Sequence, residues 1–201
     1  FSTHIYKTDL RNTFQMVGDF DPSITPDYQL AKSENFIWSN FLVNKIRSNA
    51  KSRYLKIRYY GITSRTLINM STYFRRLGYH VSWSPLNSAN SMEHAGELIS
   101  TSTSPALSVI LKHTLLWSDN YDAEYVARVA ALKAGFPYSP AGVNSLFQEV
   151  LTKANIESPK INVKDGSGLS NVNRVSAMTL AQALLHIYSD SKYESLIQGL
   201  P

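Results

Sequence analysis

Pro105-Ala-Leu-Ser-Val-Ile-Leu-Lys-His-Thr-Leu-Leu-Trp117, then Ser118-Asp119-Asn120, then Tyr121-Asp-Ala-Glu-Tyr-Val-Ala-Arg-Val-Ala-Ala-Leu-Lys-Ala134 is the stretch that decides the fold. In its first part Leu107, Ile110, Leu111, Thr114 and Leu115 recur at helical spacing. In its last part Ala123, Val126, Ala127 and Ala130 do the same, and Gly135 with Pro137 stops the pattern. Apolar positions at i, i+3 and i+4 predict two helices that bury one stripe each. They meet at a hydroxyl, a carboxylate and an amide. Asp119, Asn120 or Asp122 can cap the second helix by accepting from its free N–H groups.

Ser-x-Asn carries no information alone, because it also occurs at Ser33/Asn35 and at Ser88/Asn90. The third copy stands in a frame: Ser104-Pro-Ala-Leu107, ten residues of apolar helix, Ser118-Asp-Asn120, then Ala123-Glu124. Further on come Asp165-Gly-Ser-Gly-Leu-Ser170 and Asn173-Arg-Val-Ser-Ala177, followed by another apolar helix. This pair of blocks resembles the D-alanyl-D-alanine carboxypeptidase/endopeptidase family, the class C low-molecular-mass penicillin-binding proteins. The resemblance is close from Gly96 to Leu200 and fainter before.

The resemblance implies an α+β fold: the helical part of a serine β-lactamase/DD-peptidase-like domain over residues 96–201, and part of a mixed α/β inserted region over residues 1–95. It implies acyl-enzyme chemistry on peptidoglycan stem peptides, inhibition by β-lactams, no cofactor and an extracytoplasmic location. Ser118 is then the hydroxyl that relays a proton between the nucleophile's Lys and the leaving amine. Asn120 holds that Lys and donates its amide to a substrate carbonyl, while Asp119 caps the following helix. Ser167, Gly168 and Leu169 line the mouth of the site against the stem peptide. Relatives frequently place an Arg after this loop to pair with a carboxylate; here the position is Asn171, which leaves that recognition without its cation, and Arg174 is not an assumed substitute.

Such enzymes combine S-x-x-K, S-D-N and K-T-G. S-x-x-K occurs here at Ser48-Asn-Ala-Lys51, in a basic connector, and at Ser189-Asp-Ser-Lys192, at a helix end after the second motif. Neither opens an apolar helix, and the sequence contains no Lys-Thr-Gly or Lys-Ser-Gly. The expectation is an interior piece of a longer enzyme, catalytically silent by itself.

Composition sets the outer limits. With 43% hydrophobic and 17% charged residues over 201 positions, the chain is an ordinary globular one. No apolar run reaches the ~20 residues of a membrane helix, and Phe1-Ser-Thr-His-Ile-Tyr-Lys7 has no signal-peptide pattern. The absence of cysteine excludes disulfides, zinc–thiolate centres and cysteine nucleophiles. His4, His80, His94, His113 and His186 show no metal spacing, and His113 and His186 are expected as partly buried helix imidazoles.

The net charge of +5 is concentrated in Lys45, Arg47, Lys51, Arg53, Lys56 and Arg58, interleaved with Tyr54, Tyr59 and Tyr60. That mixture can bind nucleic acid. A solvated strand face is the stronger reading, so no nucleic-acid partner is assigned, and a basic surface also suits an anionic wall. A non-catalytic peptidoglycan-binding relative is the first alternative function, and a basic nucleic-acid-binding module using Lys45 to Arg76 the second.

Along the chain, alternation predicts strands at residues 13–20, 54–60 and 80–83, with a turn at Asp21-Pro22 and a short strand at 96–100. Helices are expected at 33–47, from Ser64 to Gly78, from Ser139-Pro140 with Val143, Leu146, Phe147, Val150 and Leu151 on one face, at 175–188 burying Leu180, Ala181, Leu184 and Ile187, and at 192–198. Residues 84–95 read as a linker.

Overall fold

The structure is a computed structural model that describes residues 1–87, 96–159, 161–198 and Leu200. Ser88, Asn90, His94 and most of the expected 84–95 linker therefore lie outside the described residues. The chain forms two compact units, Phe1–Pro105 and Ala106–Pro201.

The first unit is built on five strands, β1 (Ser2–Lys7), β2 (Thr13–Gly18), β5 (Tyr54–Tyr60), β6 (His80–Pro85) and β7 (Glu97–Thr103). Their order is β6-β5-β2-β1-β7. β1 is antiparallel to both β2 and β7, whereas β2, β5 and β6 run parallel. Parallel neighbours need crossovers, which α2 (Ser39–Asn49) and α3 (Ser64–Arg76) supply. Alternation puts Leu55 and Ile57 of β5 on the covered face, where they join Phe14, Met16, Leu42, Val43, Ile46, Met70 and Phe74 in one core. Tyr54, Lys56 and Arg58 point the other way.

The helix expected at 33–47 is two helices with a break. α1 (Tyr28–Ser33) ends at Glu34, Asn35 takes a left-handed φ of 56°, and β4 (Ile37–Trp38) pairs in parallel with β3 (Ile24–Thr25) before α2 starts. Tertiary pairing overrode a continuous apolar period. α3 starts at the expected Ser64, and Thr63 before it is the cap, its hydroxyl accepting from Thr66 N at 3.2 Å.

The second unit holds α4 (Leu107–Trp117), α5 (Asn120–Lys133), α6 (Pro140–Lys153), α7 (Ala177–Ser189), a 3-10 turn at Ser191–Tyr193 and α8 (Glu194–Ile197). The cap-then-Pro start of α6 is present, with Ser139 Oγ accepting from Gly142 N at 3.3 Å. The expected burial of α7 is not: Leu180 and Leu184 are more than half exposed, and only Thr179 among its residues is buried. Among the described residues no layer covers that face. Leu107 of α4 is likewise half exposed, while Ile110, His113 and Thr114 are buried.

Candidate functional site

α4 ends at Trp117 and α5 begins at Asn120, so Ser118 and Asp119 alone separate them. Ser118 lies in the left-handed region, with φ 53° and ψ 44°. Its N–H and that of Asp119 both end on the Thr114 carbonyl, the latter at 3.1 Å, and so close α4. A non-glycine residue held in this region costs about 1–3 kcal/mol unless its surroundings fix it, and such residues cluster at functional sites. Asp119 supplies the fixing: Oδ1 accepts from Tyr121 N at 2.9 Å and Asp122 N at 3.0 Å, which caps α5. The side chains on either side are unspent. Ser118 and Asn120 are exposed, and neither makes a side-chain hydrogen bond among the described residues.

Behind the turn, His113, Asp119 and Asp122 bring one nitrogen and two carboxylate oxygens within 4.8 Å of one another, with His113 and Asp122 buried. The three groups thus converge from the end of α4 and the start of α5. Their spacing, six and then three residues, crosses from one helix to the next, so no single-helix pattern reveals it.

The second block meets the first through α5. Glu124, one turn beyond Asn120, accepts at Oε1 from Arg128 Nε at 2.5 Å and at Oε2 from the Gly166 N–H at 2.7 Å. The Asp165–Ser170 loop thus lies against α5. Gly166 is required there, since a Cβ would run into Ala127 Cβ and the Ala123 carbonyl oxygen.

Asp165 is the hub of the loop. It accepts from Gly168 N at 2.6 Å, Ser170 N at 2.7 Å, Asn173 Nδ2 at 3.2 Å and Ser167 Oγ at 3.3 Å. Desolvation alone would raise its pKa, but the bonds from Asn173, Gly168, Ser170 and Ser167 together outweigh it and hold the carboxyl below its ordinary value. With the polar backbone satisfied inward, Gly168 turns at φ 78° and Leu169 projects, 72% exposed. Asn171 is exposed as well. Arg174 is spent on the loop itself, Nη1 donating to the carbonyls of Asn171 at 2.8 Å and Asn173 at 2.7 Å.

The loop's flanks are pinned at an isolated antiparallel bridge, Asn162 to Arg174, and at Val163 N, which donates to Asn144 Oδ1 of α6 at 2.8 Å. Glu124, Asn144, Asp165 and Asn173 were not singled out as individual site residues from sequence. Glu124, Asp165 and Asn173 do stand within the quoted blocks, whereas Asn144 has no local signal.

Neither S-x-x-K match has the setting of a nucleophile. Ser48 Oγ donates to the Lys45 carbonyl and Ser189 Oγ to the His186 carbonyl, both at 3.0 Å and both at helix C-termini. Lys192 pairs with Asp190 at 2.6 Å. No described helix is long and apolar enough to cross a membrane.

No curated protein matches the chain. Among solved structures it is similar to penicillin binding protein 4 from Haemophilus influenzae in complex with a novel β-lactam, at 14% identity and a TM-score of 0.68, over 100% of this chain and 66% of that one. A second structure of the Haemophilus influenzae protein aligns at 13% identity and a TM-score of 0.68, over 100% of this chain and 68% of that one. The chain thus spans about two thirds of those structures, and at this identity the likeness establishes the fold: mixed α/β with a DD-peptidase-like helical part. The family model described as D-Ala-D-Ala carboxypeptidase 3 (S13) matches residues 69–201, a span that takes in both motif blocks. The chain belongs to the D-Ala-D-Ala carboxypeptidase 3 (S13) family.

Proposed function

We propose that this chain carries the second-motif half of a serine-type D-Ala-D-Ala carboxypeptidase/endopeptidase that cleaves peptidoglycan stem peptides outside the cytoplasm and is acylated by β-lactams. The observation that carries the reading is the coupling of its two blocks. Asp119 caps α5 at one end of the first turn, and Glu124 in the next turn anchors the Asp165 loop. Residues 96–201 are read as part of the penicillin-binding domain, helical from α4 onward and preceded by β7, and residues 1–95 as inserted chain.

In this reading the exposed Ser118 hydroxyl relays the proton from the nucleophile's Lys to the leaving amine. A hydroxyl can accept and donate at once, so both transfers pass through one oxygen without a free ion. Asn120 offers an N–H to the substrate carbonyl and its oxygen to the Lys. Ser167, Gly168, Leu169 and Asn171 form the wall met by the stem peptide. Asn171 brings an amide where a cation would grip a terminal carboxylate, and Arg174 is already committed, which favours stem peptides whose free end is not held by charge.

Neither S-x-x-K serine is activated, since Ser48 and Ser189 each donate to a helix carbonyl, so fluorescent penicillin is expected to leave the 201-residue chain unlabelled. In the intact enzyme, Ser118→Ala is expected to slow acylation by ~10²–10⁴-fold, the worth of positioned proton transfer, with folding retained. Asn120→Ala is expected to weaken substrate placement as well as rate. Asp119→Ala is the control, lowering the melting temperature with near-normal chemistry. Equal and small kinetic effects at all three positions would reduce Ser118-Asp119-Asn120 to a turn. An intact protein that binds stem peptides but never takes the label would instead be a non-catalytic wall-binding relative.

A further inference from the structure

The outward face of β5 and β6 carries a groove of about 870 Å³. Its floor is the outward rows of β5 and β6, and one end is walled by Leu10, Arg11 and Asn12 between β1 and β2. Register places Tyr54 beside His80, Lys56 beside Ser82 and Arg58 beside Ser84. Three features distinguish this groove from an ordinary solvated face.

None of its lining residues is a carboxylate, although Arg11, Lys56 and Arg58 all line it. None of these three cations makes an ion pair among the described residues. Lys56 and Arg58 stand two residues apart on one strand face, about 6.6–6.8 Å along the chain, so their repulsion is left uncompensated. The third feature is aromatic: Tyr54 and His80 stack at 4.9 Å and 13°, and Tyr54 is 72% exposed, a flat platform at one end of the cationic row.

We propose that this groove binds the carboxylate-bearing glycopeptide of the wall, with acidic groups on Arg11, Lys56 and Arg58 and a sugar ring laid on Tyr54. Charge complementarity sets the ligand's sign. The remaining lining sets its class. Single-stranded nucleic acid is held by successive aromatic platforms for successive bases, whereas here one platform is followed by the Ser82 and Ser84 hydroxyls, which suit sugar hydroxyls. The choice of wall glycopeptide rests on the extracytoplasmic reading above; the groove and its sign do not. The bond is ionic and exposed, so it weakens with salt.

The test is co-sedimentation of the intact protein with purified peptidoglycan sacculi, with sacculi whose carboxylates have been amidated, and in competition with single-stranded oligothymidylate. Wild-type protein is expected to bind sacculi and to lose most of that binding on amidation. Lys56→Glu with Arg58→Glu is expected to weaken binding ~10–100-fold, as two exposed attractions become repulsions, and Tyr54→Ala to weaken it several-fold. The charge-matched control Arg75→Glu with Arg76→Glu, on α3, is expected to bind as wild type.

Fluorescent-penicillin labelling of the same preparations reports the acyl-transfer reading separately and is expected to be equal in all of them. Loss of label with binding intact would break that reading and leave the groove standing. Unchanged binding in the groove variant, a wild type that ignores sacculi, or tighter binding of oligothymidylate would each overturn the proposal.

Discussion

Phe14, Ile57 and Phe74 of the first unit are fully buried, whereas Met178, Leu180, Leu184, Leu185 and Tyr188 of α7 in the second unit are each more than half exposed. The sheet unit closes an apolar core of its own under its helices, and on the opposite face the β5 and β6 rows around Tyr54, Lys56 and His80 are exposed, while Gln15 and Tyr6 are buried. The helical unit buries Ile110, Val129, Ala131 and Val143 and adds the Asp119 cap, the Glu124 anchor and the Asp165 hub, but leaves the apolar residues of α7 outside that core. A helix apolar on every side is normally a buried one. Apolar burial therefore weighs most in the sheet unit, and substitutions in the two units should respond accordingly.

The largest effect is expected in the sheet unit. Phe74→Ala removes a ring from the centre of its core and should cost about 3–5 kcal/mol in urea unfolding. Leu185→Ala, at a position 70% exposed in the other unit, should stay within about 0.5 kcal/mol. Comparable losses at both sites would end the contrast.

Next is Gly166→Ala. Its Cβ meets Ala127 and the Ala123 carbonyl, so the loop must lift from α5 and release the Glu124 bond. About 1–3 kcal/mol of destabilisation is expected, with faster amide exchange confined to residues 162–174. Asp119→Ala follows, at about 1 kcal/mol for a lost N-cap, read as a lower melting temperature of the helical unit with that of the sheet unit unchanged.

The smallest effect is in mild acid, and it has opposite sign in the two units. Asp165 has a lowered pKa, so its stabilisation is complete above the unfolded value of about 3.9 and is lost as pH falls through the folded value. Asp21 has a raised one, because desolvation outweighs its hydrogen bonds from Ser23 at 2.7 and 2.8 Å. It therefore binds its proton more readily folded than unfolded, and the sheet unit gains stability as pH falls through that folded value toward 3.9. Amide exchange followed from pH ~6 to ~3 should show the loop around Asp165 loosening while the Asp21 turn does not. Asp165→Asn should flatten the loop's profile.

Much of this arrangement was legible in sequence where the determinants are local. The alternation of Tyr54–Tyr60, the Ser139-Pro140 start of α6 and the capping of α5 by Asp119 each follow from a few adjacent residues. The break at Asn35 was not legible, because Ile37 and Trp38 keep a helical period yet pair with Ile24 and Thr25. β1 was missed for a related reason: Ser2–Lys7 is short, and its strand character comes from two partners that flank it from afar. At the site, Ser118-Asp119-Asn120 and the Asp165 loop could be read as separate blocks. Their connection by the Glu124 carboxylate, 42 residues from Gly166, lies in no local pattern.

That second partnership of β1 has a consequence for how the molecule is made. Ser2 pairs with Thr103, so the sheet is finished only when the last strand of the unit returns to the first. Closing so long a loop costs entropy before any contact rewards it, and such non-local pairing slows folding. During synthesis β1 and β2 emerge before β7 and must wait for Glu97–Thr103 with a free edge, the state in which strands recruit the wrong neighbour. A growing chain halted before residue 97 should be a substrate for chaperones, and one released after residue 105 should not.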